Sequence, residues 1–99
     1  MNVLNDDDYE ATSFDETGSI RSHIEALEIG ESYSRAVRLH GDKANRERMR
    51  TNSDYLRNSL QSTAFKITKR RSYTYVIEGG DFRTRSLDVI VTVVITRVT

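Results

Sequence analysis

In this chain of 99 residues, the side chains whose type and spacing could do chemistry are basic. Arg46, Arg50 and Arg57 fall within about 40° of one another on a helical wheel at about 100° per residue, so a helix carrying them presents a row of guanidinium groups able to track phosphates. Lys69, Arg70 and Arg71 form a second basic cluster at the end of the same stretch. Arg83 and Arg85 stand beside Phe82 near a Gly-Gly pair, which would put two charges and one aromatic for stacking or groove insertion on a hairpin. Each set also has a plainer use. Exposed helices carry Arg for solubility, Lys and Arg near a helix C-terminus stabilise its dipole, and charges beside a hairpin protect a sheet edge.

Enzymatic chemistry finds no comparable footing. His23 and His40 are the only histidines, and no Asp or Glu stands at a ligand spacing that would join them on a metal. No Gly-x-Ser-x-Gly or similar nucleophile setting occurs, and Gly79-Gly80 precedes no helix N-terminus that could receive a phosphate. Asp6-Asp7-Asp8 offers carboxylates, but consecutive ones do not converge on one ion without ordering cost. The sequence predicts a protein that is not an enzyme and holds no metal or cofactor.

A net charge of zero hides a division. Residues 1–31 carry nine acids against the single base Arg21, a balance of −8, and residues 32–99 carry fourteen Lys and Arg against six acids, a balance of +8. Such asymmetry suggests an acidic arm and a basic body, or else two solvated surfaces of opposite sign. With 36% hydrophobic and 30% charged residues the chain is polar for a globular one. Residues 1–18, with Val3, Leu4, Tyr9 and Phe14 in no periodic pattern, are expected to be a disordered acidic arm, and residues 19–99 a single domain. The absence of Cys fits a reducing compartment. With no basic-then-apolar leader and an apolar run of only about ten residues, a soluble, cytoplasmic protein with no membrane partner is expected.

The elements that must position the basic groups are set by periodicity. Ile20, Ile24 and Leu27 recur at helical spacing behind a Ser19 cap, with Gly30 as the left-handed stop, predicting a helix over about 20–28. Tyr33, Val37 and Leu39 alternate in an edge strand over 31–39, with Arg35 the exception on that face. His40-Gly41-Asp42 is a turn whose Asp can cap a helix beginning at Lys43. The stretch 43–70 favours helix, yet Thr51-Asn52-Ser53-Asp54 prefers caps and turns. The reading favoured is a short helix at 43–50 and a longer one at about 54–70, capped by Asn52 or Ser53; one continuous helix is the alternative. Leu56, Leu60, Ala64 and Ile67 give the longer helix one apolar face, which Met49 extends if the helix is continuous. A strand over 72–78 places Tyr73, Tyr75 and Ile77 on one side and turns at Gly79-Gly80 into a loop with a ladder at its base. The run 88–98, apolar on one face and half apolar on the other, belongs in the middle of a sheet, between 72–78 and 32–39.

The order helix, strand, helix, helix, strand, long hairpin, strand over residues 19–98 resembles the winged-helix variant of the helix-turn-helix. That resemblance implies an α+β fold with helices packed on a three-stranded antiparallel sheet, a recognition helix at 54–70 and a wing at 79–87. The strand at 31–39 is long for that class, and the turn near Thr51 lacks the usual Gly. The segment Ile24 to Ser32, together with the later basic helix, also resembles small accessory proteins of tailed bacteriophages. Two functions are carried forward. One is a small nucleic-acid-binding accessory or regulatory protein, DNA being the expected ligand, using Arg46, Arg50, Arg57, Lys66, Lys69, Arg70, Arg71, Phe82, Arg83 and Arg85. The other is a protein-binding module, such as a viral inhibitor or adaptor of a host enzyme, whose acidic arm engages a basic partner. A homodimer is expected because so small a sheet leaves a half-apolar face or an edge to cover.

Overall fold

The computed structural model describes residues 19–99, so the predicted acidic arm lies outside the described residues. Two α-helices, a single 3-10 turn and three strands succeed one another in the order α1 (Ile20–Glu25), β1 (Ser32–Leu39), the turn Gly41–Lys43, α2 (Arg46–Arg71), β2 (Tyr75–Arg83) and β3 (Val89–Arg97). The strands form one antiparallel sheet in the order β1-β3-β2. The α+β class, the C-terminal hairpin and the central place of the last strand are therefore as the alternation of apolar residues requires.

Register divides the sheet into two faces. Val37 pairs with Val91, and Ile77 and Tyr33 with Ile95, so these residues share the inner face, on which α2 packs. Leu56, Leu60, Ala64 and Ile67 of α2 meet Val37, Leu39, Val89, Val91, Val93 and Ile95 there, joined by Ile24 and Leu27 from the α1 segment. Each fully buried Leu or Ile of this layer contributes ~1.5–3 kcal/mol by leaving water.

The tetrad Thr51 to Asp54 does not break the helix. Asn45, not Asp42, Asn52 or Ser53, is the N-cap, its Oδ1 accepting from the Arg48 N–H at 2.9 Å, while Gly41–Lys43 makes the 3-10 turn. Asn52 sits four residues before Leu56 on the buried stripe, is 0% exposed, and donates from Nδ2 to the Arg48 carbonyl at 2.7 Å. Tertiary packing of that stripe outweighs the local preference of four polar residues for caps. With α2 continuous, the turn expected between helices at 43–50 and 54–70 does not form.

Three boundaries also differ from the expectations of periodicity. Helix α1 ends at Glu25, earlier than 28, because Gly30, at φ +90°, serves the entry to β1: its N–H donates to the Arg97 carbonyl at 2.8 Å. Ser19 caps that helix as expected, accepting from the Ser22 N–H at 3.1 Å. Strand β2 begins at Tyr75 and runs through Gly79 and Gly80 to Arg83, so the Gly-Gly pair is strand and the reversal lies at 84–87. There the Thr84 N–H donates to the Asp88 carbonyl at 2.8 Å, and Leu87 takes the left-handed conformation at φ 67°. Pairing along the whole of β3 stabilises more backbone groups than a turn at the glycines would leave paired.

Candidate nucleic-acid interface

Continuity of α2 makes the Arg46, Arg50, Arg57 row a physical one, on the flank of the apolar stripe that faces β2. Arg57 fixes that orientation: Nη1 donates to the Ile77 carbonyl at 3.3 Å, and its guanidinium lies against Gly79, where an added Cβ would stand 2.7 Å from Nη2. Arg57 is thus a helix-to-sheet tie. Arg46 and Arg50 are exposed and have no partner among the described residues.

The hairpin turn lies at the same end of the domain as the start of α2. Leu39 pairs with Val89, which pairs with Arg83, and His40 Nδ1 meets Asp88 Oδ2 at 3.2 Å, so the 40–45 segment leading into α2 lies against the base of the turn. Arg83 is exposed and donates from Nη1 to the Leu87 carbonyl at 3.1 Å, bracing the turn with its charge still in water. Arg85, at the tip, is exposed and without a partner among the described residues. Arg46, Arg50, Arg83 and Arg85 are accordingly the basic groups brought to one end. Phe82 does not join them. It pairs with Ile90 on the outer face, opposite to Arg83, and is 58% exposed.

Lys66, Lys69, Arg70 and Arg71 occupy the far end of α2. Lys66, Lys69 and Arg70 project about 140–240° around the helix from Arg46 and belong to a different surface. Lys69 Nζ lies 5.4 Å from the centroid of the exposed Phe65 ring, and Arg71 Nε contacts Glu25 Oε2 at 3.3 Å, tying α2 to α1. The predicted set of ten therefore separates into an end group, a distal helix group, residues committed to the fold, and Phe82 by itself on the outer face.

Two other cations, outside the predicted set, are structural. Arg97 Nη1 donates to the Leu27 carbonyl at 3.0 Å and its guanidinium lies 3.5 Å above the Tyr73 ring, closing the α1 end of the core. Arg35, on the inner face, donates from Nη1 to Ser59 Oγ at 3.4 Å; burial pushes its pKa below the ordinary value, with Tyr55 opposing. The alternation of Tyr33, Val37 and Leu39 already set Arg35 on that face; the structure adds that Ser59 of α2 is what it meets.

Among the described residues no group of three or more His, Cys, Asp or Glu side chains could hold a metal ion, and no helix is long and apolar enough to cross a membrane. No curated protein and no solved structure matches the chain. Residues 18–99 match the family model described as Domain of unknown function (DUF7609), and with that share of its length covered the chain belongs to the DUF7609 family.

Proposed function

We propose that this is a small non-enzymatic nucleic-acid-binding accessory or regulatory protein of the cytoplasm, of the host cytoplasm if it is phage-encoded. Its contact surface is the end of the domain where α2 starts and the β2–β3 hairpin turns. The observation that carries this reading is the grouping of Arg46, Arg50, Arg83 and Arg85 there, three of them without an intramolecular partner among the described residues. Residues 19–99 carry fifteen Lys and Arg against nine acids, a balance of +6, so the body attracts a polyanion while the whole chain is neutral. Arg is suited to phosphate because its planar fork offers paired donors and stays charged at any working pH.

Fluorescence anisotropy with duplex and single-stranded DNA over a salt series tests it. Binding weakens steeply as salt rises, because neutralised phosphates release counterions. Absence of binding to either at low salt removes the reading. A protein-binding module, such as an inhibitor or adaptor of a host enzyme, would then be favoured by the six acids and no base of residues 1–18.

A further inference from the structure

Both helices pack on the inner face of the sheet, and the outer face is uncovered by any described element. Its middle row is made of small side chains: Thr92 on the central strand pairs with Ala36 on one side and Gly80 on the other. A Cβ added at Gly80 would meet nothing within 4 Å, so the floor of this face is open to close approach by another surface. Phe82 rises beside it, 58% exposed.

The paired strands expose only two charges on that face, of opposite sign. Arg38 pairs with Ile90, two residues before Thr92, and Glu78 pairs with Val94, two residues after it. They stand on opposite edge strands, so Thr92 is the midpoint between them. Neither has an ion-pair partner among the described residues, and Arg38 Nε is buried without a hydrogen bond. An unpartnered buried N–H of a cation is costly unless something supplies an acceptor.

We infer that the outer face binds a second copy of this chain through a two-fold axis over Thr92, which sets Arg38 of each copy against Glu78 of the other. A two-fold axis lying between the two sheets, over Thr92 and perpendicular to the line from Arg38 to Glu78, exchanges the two ends of that line, so a plus and a minus placed symmetrically about Thr92 superpose on their opposites. With strands about 4.8 Å apart and about 3.3 Å per residue, that operation crosses the strands of the two sheets at about 70°, nearer to the orthogonal than to the aligned mode of sheet packing. The same operation brings Phe82 near its own copy, and the Ala36, Thr92, Gly80 row lets the backbones approach. A foreign partner would have no reason to carry the mirror of this charge pair, whereas a second copy carries it by construction. The patch measures about 14 Å by about 26 Å, the size of a weak, reversible interface, so a dissociation constant in the micromolar range is expected. This inference is independent of the nucleic-acid reading, whose basic groups lie elsewhere.

Sedimentation velocity of the full chain across the micromolar range tests it, using charge reversals. Arg38→Glu places like charges together, as does Glu78→Arg, and each alone should weaken dimerisation by roughly tenfold or more. An equimolar mixture of the two variants should dimerise at least as well as the unaltered protein, because both pairings in the mixed dimer are then of opposite sign. The double variant should dimerise too, and Phe82→Ser should weaken association without changing the circular dichroism spectrum. A monomer at all concentrations overturns the inference. So does a dimer indifferent to both reversals, which would place the interface at a strand edge or on the helices, and so does failure of the mixture to recover association.

Discussion

The guanidinium of Arg57 rests against the backbone of Gly79, and this packing fixes which flank of α2 faces β2. The absence of a side chain at Gly79 leaves the space, and the Ile77 carbonyl holds the donor. Gly79→Ala should displace the guanidinium and cost about 1 kcal/mol, the worth of the broken hydrogen bond, and Arg57→Ala should cost a similar amount. In the Arg57→Ala background, Gly79→Ala should be neutral or stabilising, since Ala suits a strand interior better than Gly. Urea midpoints of the four proteins measure the coupling. Additive losses would show that the two residues act independently.

Asn52 should be replaceable at a gain. Its Oδ1 is buried with no hydrogen-bond partner, and the site belongs to the stripe of Leu56 and Leu60. Asn52→Leu removes an unsatisfied acceptor and adds apolar packing, for an expected stabilisation of about 1–2 kcal/mol by urea unfolding. A loss of stability would mean that the amide makes a bond the buried stripe depends on.

The Tyr75 phenol predicts a fall in stability in strong alkali. Burial raises its pKa above the ordinary value, with the charge of Arg97 acting the other way, and its hydroxyl is buried with no hydrogen-bond partner. The folded state therefore holds the proton more tightly than the unfolded chain. The corresponding stability is fully present below the unfolded value, about 10, and is lost as pH rises from there through the folded value. Tyr75→Phe should make the decline in urea midpoint above about pH 10 shallower, at little cost at neutral pH. An identical decline in both proteins would assign the effect to other groups.

Two pairs of substitutions separate the basic surfaces. Replacing Arg46 and Arg50 together with Ala should weaken DNA binding and reduce the salt slope by about one for each phosphate no longer neutralised. Replacing Lys66 and Lys69 should have the smaller effect, because they point to another side of α2. Anisotropy titrations at three salt concentrations give both quantities, and the reverse ranking would move the interface to the distal half of the helix.

The acidic segment should compete with nucleic acid. Residues 1–18 carry six acids and no base and are joined to a body of balance +6, so their effective concentration at the Arg side chains is high. A chain beginning at Gly18 should bind DNA more tightly at low salt, with the gain shrinking as salt screens the attraction. Equal affinity at every salt concentration would remove this role.

What the sequence determined by itself was periodic. The alternation from Val89 to Ile95 and the four-residue steps from Leu56 to Ala64 require a central strand and an amphipathic helix, and Ser19 announces the first cap, because each signal lies within a few residues of the element it specifies. Where the helix starts and the hairpin turns was decided at longer range. Asn52 stays helical because its face packs on the sheet, Gly79 and Gly80 stay extended because β3 pairs along its whole length, and the reversal falls at 84–87, where Thr84 and Asp88 can bond. The candidate site divides the same way. That Arg46, Arg50 and Arg57 form a row is a consequence of helical geometry, but which of them remains free depends on where β2 lies. Arg57 ties to Ile77 and Phe82 faces away from Arg83, because the sheet register and the rotation of α2 on the core assign each side chain to a face, and neither is encoded at any one position of the chain.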